Sequence, residues 1–233
     1  MTENLARPMT IALTRHGQTH WNAAGRMQGT SDIPLNDTGR EQARASSARF
    51  VGADWHHVVT SPLSRAAETA RIIADGLGID VSGVYSDLQE RHYGEAEGLT
   101  DVEAAALWPD GQFPGLESRD DVADRGLDSL ADIERDLRGS AVIVVAHGTL
   151  IREVLRRLTS VPIPSILNGA TSIVEHSAGS WRVITVNDEP VDDEPVDGEP
   201  LDDEPLDDEG ACPPFGGTNA RELRSLNEGG TRP

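Results

Sequence analysis

The chain has 233 residues, an apolar fraction of 37% and a formal net charge of -20, and all 20 of its basic residues are arginine. So acidic a chain repels nucleic-acid backbones and anionic membranes, and without lysine it can build neither a P-loop nor a Schiff base. A single cysteine, Cys212, excludes an intramolecular disulfide and a cysteine-based zinc site, so a phosphate ligand would have to be held by Arg, His and backbone amides.

The length suits one substantial α/β domain. Residues 9–14 (MTIALT) form a short apolar run that stops at Arg15-His16-Gly17, and they are read as a strand. A helix is expected over 38–51, with Thr38 as its N-cap. A second strand, 58–61 (VVTS), stops at a proline and precedes a helix over 64–76. A further helix is expected over 118–137. Residues 141–146 (AVIVVA) form a third strand that stops at His147-Gly148, with a helix over 149–158 directly behind it. Residues 180–186 (SWRVITV) are read as a last strand at a sheet edge. Continuous apolar strands alternating with helices predict a three-layer α/β/α fold around a mostly parallel sheet buried on both faces.

The composition changes at Asp188. Residues 188–209 hold 13 acids and no base, with prolines at 190, 195, 200 and 205 in an imperfect five-residue repeat. Such a segment buries too little apolar surface to fold, so residues 188–233 are expected to be a disordered acidic tail behind a catalytic domain over 1–187. A solubilising tail is the plainer reading, and a docking strip for a basic partner the lesser one. The first ten residues show no apolar leader, and the longest apolar run is too short to span a bilayer. A cytoplasmic protein is therefore expected, with no membrane partner.

The charged landmarks share one placement. Arg15 and His16 follow the first strand, Arg65 follows the second and His147 follows the third. In an open α/β sheet the crevice beyond the carboxyl ends of the strands is where ligands bind. Two guanidiniums there offer bidentate forks to phosphate oxygens. A neutral imidazole is a competent nucleophile at phosphorus without a metal or another cofactor. Gly17 and Gly148, each behind a histidine, let backbone amides approach an anion. The departing alkoxide needs a proton. Glu90, in LQERHYGEAEG, is the candidate donor, kept protonated by Asp87, Glu95, Glu97 and the substrate's own charge. A lone His-Gly behind a strand is ordinarily a turn, so it is the ordered conjunction that carries the argument. His20 is read as a rim residue, and His56 and His57 as surface residues beside Asp54. His92 and Tyr93 are equally readable as structural or as substrate contacts.

LTRHGQTHWN, GRMQG, SPLSRAAETA, LQERHYGEAEGL and VVAHGTLIRE, in that order, resemble the histidine phosphatase superfamily, the phosphoglycerate mutase-like group, over residues 11 to 186. The resemblance implies a mixed, mostly parallel sheet flanked by helices and a phosphohistidine intermediate. It implies His16 as nucleophile, Arg15, Arg65 and His147 as the phosphate pocket, and Glu90 as the acid. Asn22 and Arg26 match positions that help bind phosphate or the substrate's rim. His147 followed by glycine separates the chain from the acid phosphatase and phytase branch. Where the group often has an aromatic, this chain has Ala96, which is expected to widen the pocket mouth.

ERHYG is the spelling of the phosphoglycerate mutases. Against it, Glu90 and His147 stand only 57 positions apart, there is no lysine, and Arg119, Arg125, Arg135 and Arg138 are not adjacent. A mutase of this group inserts a longer lid carrying a lysine and adjacent arginines. The expected activity is therefore hydrolysis of a small phosphorylated metabolite. The alternatives are a cofactor-dependent mutase, or a non-catalytic protein acting through its tail. Retention of Arg15, His16 and His147 argues against the last. Sequence leaves the substrate and the oligomeric state open, a dimer included.

Overall fold

The computed structural model describes residues 8–191. Seven strands form one sheet: β1 (Met9–Arg15), β2 (His57–Thr60), β3 (Val81–Val84), β4 (Ala141–Ala146), β5 (Thr171–Ser177), β6 (Ser180–Val186) and β7 (Glu189–Pro190). Their order is β3-β2-β4-β1-β5-β6-β7. The first four in that order are parallel, and β5, β6 and β7 continue the sheet antiparallel. This is the expected α/β architecture.

The central strands are buried on both faces, which is why their sequences are continuous apolar runs rather than alternations. In β4, Val142, Val144 and Ala146 enter one core, while Ile143 and Val145 enter the other. The first core is covered by α5 (Arg119–Asp136) and α6 (Gly148–Leu158) through Val122, Leu130, Ile133, Leu150, Ile151 and Val154. The second is covered by α2 (Asp37–Phe50) and α3 (Ser64–Leu77) through Phe50, Ala66, Ala70 and Ile73. Two short helices, α1 (His20–Ala23) and α4 (Asp101–Leu107), lie in the connections that surround the strand ends.

Three details differ from expectation. Asn36, not Thr38, caps α2, because its side chain accepts from Gly39 N at 2.8 Å. β6 is not the edge, since β7 pairs with it. The tail boundary also lies later than Asp188: Asp188 N donates to Thr171 O at 2.7 Å, Asp188 pairs with Arg49, and Val191 N donates to Ile184 O. Satisfied backbone groups hold this stretch in place despite its charge. The expected disorder of the remaining tail, and Cys212, lie outside the described residues.

Candidate active site

Arg15 ends β1, and His16 follows it with its backbone N–H donating to Ala146 O on β4. His147 is the N-cap residue of α6. The parallel pairing of β1, β4 and β2 therefore delivers Arg15-His16, His147 and the start of α3 to one end of the sheet. The His16 and His147 rings lie 5.1 Å apart at 57°, and both side chains are essentially inaccessible, at 2% and 0% exposure.

His16 Nδ1 lies 2.7 Å from Gly17 O. A carbonyl only accepts, so the proton is on Nδ1 and Nε2 carries the lone pair. Arg65 Nε donates to that nitrogen at 3.3 Å. Burial, then the charges of Arg65 and Arg15, hold the His16 imidazole well below 6.5, so it is neutral at pH 7. His147 is pushed down the same way by burial and then by Arg65, His16 and Arg15. Its Nε2 faces Ser61 Oγ at 2.8 Å, and its Nδ1 is buried with no hydrogen-bond partner among the described residues.

Arg65 is fully buried in the first turn of α3. Its guanidinium donates to Ser31 O at 2.9 Å and Gly29 O at 2.7 Å. With its amide oxygen turned inward, Gln28 accepts from the same group at 3.0 and 3.1 Å. Burial lowers Arg65 to about 10, partly opposed by Glu90 and Asp32, and it remains a cation at neutral pH. The 29–32 loop is fixed from two sides. Asp32 accepts from Ser64 N at 2.7 Å, and Glu97 accepts from Thr30 N at 2.9 Å and Ser31 N at 2.8 Å. Arg15 donates to Ile166 O. The glycine at 148 has a steric reason: a Cβ there would lie 3.1 Å from Arg15 Nε. At 17 it would lie 2.2 Å from Gly39 O, so the loop after β1 packs backbone to backbone on α2.

Glu90 is 8% exposed and is joined to this cluster through α6. Its Oε2 accepts from Thr149 N at 3.0 Å, and its Oε1 accepts from Leu150 N at 3.1 Å and Arg91 N at 2.8 Å. The carboxyl group thus satisfies donors in the first turn of the helix that follows His147. Of the acids that the sequence places around it, only Asp87 lines the same cleft. Glu97 is turned to the 29–32 loop, and Glu95 is exposed. Arg125 from α5 instead holds the Glu90 segment, donating to the carbonyls of Asp87, Gln89 and Glu90 at 2.7, 2.6 and 3.1 Å and pairing with Glu117 at 2.7 Å. Beside it a cleft of about 280 Å³ is lined by Thr30, Ser86, Asp87, Gln89, Glu90, His92, Glu117 and Arg125.

Asn22 approaches the cluster indirectly. Asn168 donates to His16 O at 3.0 Å and to Asn22 Oδ1 at 3.4 Å. Arg26 does not join it: its guanidinium donates to Gly98 O and pairs with Glu103 at 3.2 Å, at the start of α4. Among the described residues it touches none of His16, Arg65 and His147. Ala96 is the fully buried last residue of a 3₁₀ turn, so it widens no mouth. Tyr93 faces inward, its hydroxyl 2.7 Å from Thr149 Oγ1 and raised to about 12, mainly by burial and then by Glu90. His20 and His56 are exposed. Sequence reasoning gave no site role to Ser61, Gln28, Asn168 or Arg125, although Ser61 ends the VVTS run and Gln28 lies within GRMQG. Among the described residues no group of three or more His, Cys, Asp or Glu is placed to hold a metal ion, and no helix is long and apolar enough to cross a membrane.

Two imidazoles and two guanidiniums thus lie together at one set of strand ends, two of them cationic at neutral pH. Residues 11–189 match the histidine phosphatase superfamily (branch 1). The chain belongs to that superfamily. The phosphatase PhoE of Bacillus subtilis is 34% identical over 181 residues, covering 76% of this chain and 93% of that protein. The metal-independent phosphoserine phosphatase of Arabidopsis thaliana is 35% identical over 193 residues, covering 76% and 81%. Relatives named as phosphoglycerate mutases match as well. Among solved structures, a mycobacterial glucosyl-3-phosphoglycerate phosphatase in complex with VO3 superposes with a TM-score of 0.71 at 29% identity, covering 76% of this chain and 98% of that one. As a superfamily member with phosphatase relatives, the protein is a phosphoric monoester hydrolase.

Proposed function

We propose that the protein hydrolyses a small phosphorylated metabolite in two steps, through a phosphohistidine on His16 and without a metal. The observation that carries this reading is the orientation of His16. Its Nδ1–H is spent on Gly17 O, so a neutral Nε2 lone pair faces Arg65 among the other pocket groups. In the first step that lone pair attacks phosphorus and the P–O bond to the alcohol breaks. Arg15, Arg65 and His147 take up the charge on the phosphoryl oxygens. Glu90 gives its proton to the departing alkoxide. In the second step Glu90, now a carboxylate, takes a proton from water, which attacks the phosphohistidine and releases inorganic phosphate and free His16. Asn22 serves this site through Asn168 and the His16 carbonyl, and Gly148 leaves room for Arg15.

Hydrolysis is favoured over a mutase cycle by what the arginines between Glu90 and His147 do. Arg119 pairs with Glu153, Arg125 with Glu117, Arg135 with Asp132 and Asp136, and Arg138 with Glu134. Each of these four has a carboxylate partner in the fold, and the fifth, Arg91, donates to the Glu117 carbonyl at 2.7 Å and lies over the Tyr93 ring, so holding a second phosphate would mean giving up one of these contacts. The relatives' substrates, phosphoserine and glucosyl-3-phosphoglycerate, make phosphorylated hydroxy acids the first class to assay.

The test is a panel of phosphorylated metabolites, assayed for released phosphate in EDTA, with 3-phosphoglycerate also followed for phosphoryl transfer between its hydroxyls. Phosphate release that survives chelation, with no isomer formed, is expected. Activity that is lost in EDTA and restored by a divalent cation would overturn the metal-free reading. Isomerisation outrunning release would replace the phosphatase with the mutase.

A further inference from the structure

Ser61, at the carboxyl end of β2, is fully buried. Its Oγ accepts from Leu63 N at 3.3 Å and lies 2.8 Å from His147 Nε2. A hydroxyl has one proton to give, and among the described residues Nε2 is the partner that can take it. On the far side of the ring, Nδ1 is buried with no hydrogen-bond partner among the described residues, in a side chain that is 0% exposed and lies over His16.

We propose that Ser61 is a positioning residue that fixes His147 as its Nδ1–H tautomer, so that Nδ1 donates to an oxygen of the transferred phosphoryl group. The proposal rests on the reading of this pocket as the phosphate site. A phosphate ester at neutral pH presents only lone pairs, so an imidazole facing it through a bare nitrogen would repel it. Because burial and the neighbouring arginines keep the ring neutral, it holds one proton, and which nitrogen carries it matters. Gly17 O and Ser61 Oγ thus set two neighbouring rings to opposite tasks. Both carry the proton on Nδ1, yet His16 offers the phosphorus a lone pair and His147 offers the oxygen an N–H.

The experiment is ¹⁵N NMR of histidine-labelled protein with orthovanadate bound, with the His147 signals assigned by their loss in His147→Asn. The wild type should show a protonated Nδ1 and an unprotonated Nε2 at His147. Ser61→Ala should lose that bias and lower kcat/KM about tenfold, as for one lost hydrogen bond. Ser61→Thr, which keeps the hydroxyl, should stay near wild type. A proton on Nε2 in wild-type protein, which needs no variant to fold, would overturn the proposal. So would Ser61→Ala turnover within twofold of wild type. If orthovanadate does not bind at all, or His16→Ala turns over normally, the phosphate-site reading falls instead.

Discussion

Replacing Glu90 with glutamine separates its two tasks. In the folded protein Oε1 serves two donors, Arg91 N and Leu150 N, while Oε2 serves only Thr149 N. The amide nitrogen that Glu90→Gln introduces should therefore occupy the Oε2 position, where it meets Thr149 N–H donor to donor. One hydrogen bond is lost and one part-buried N–H is left unsatisfied, at a cost of about 2 kcal/mol. For a domain of this size that is a fall of roughly 4–8 °C in Tm, read by differential scanning calorimetry. The kinetic effect should be selective. Alkyl phosphates need a proton donor for the leaving oxygen and should lose about 10²–10⁴ in kcat/KM, while p-nitrophenyl phosphate should lose less than about tenfold. A unit slope between the two losses would refute the acid assignment. An unchanged Tm would refute the account of how α6 is held.

Two further outcomes follow from the same geometry. His16 and His147 titrate well below 6.5 in the folded protein, so as pH falls below 6.5 the unfolded chain takes up protons that the folded one does not. The stability contributed by each is lost as pH falls through 6.5, by at most about 1.4 kcal/mol per histidine between pH 7.5 and 5.5. Urea unfolding should show that His147→Gln removes one such share; an unchanged pH dependence would contradict it. A chain ending at Val191 should match the full chain in kcat and Tm, whereas one ending at Asn187 should melt several degrees lower, because it loses β7 and the Arg49–Asp188 pair. Equal melting of the two truncations would place the domain boundary back at 187.

The parts of the fold that sequence revealed were those whose burial is two-sided. β1 and β4 stand out as apolar runs ending at charged residues, and β4 was legible to the residue. β3 (VSGV) was not, because an outer strand with a serine and a glycine alternates between half-buried and exposed and has no contrast with a loop. β5 was lost for a related reason, since Glu175 and His176 interrupt its buried face. At the site, Arg15, His16, Arg65 and His147 were legible because each sits close behind a strand in the local sequence or at its last residue. Glu90 was reached only through its motif. Two of its three partners are amides of a helix about 60 positions later, and nothing local records those two. Arg26 shows the converse: its motif suggested phosphate or the substrate's rim, and nothing in that motif records Glu103, which the capping turn of α4 brings within 3.2 Å of it.

The central claim is a covalent phosphohistidine at His16 Nε2, and the most direct measurement is rapid mixing with a ³²P-labelled substrate, quenching into alkaline denaturant, where phosphohistidine survives, and peptide mapping. Label should appear within the first turnover on the peptide carrying His16, at Nε2, and should be absent from His16→Ala. A protein that turns over at the full rate with no label at any time, or with label undiminished in His16→Ala, would contradict the account.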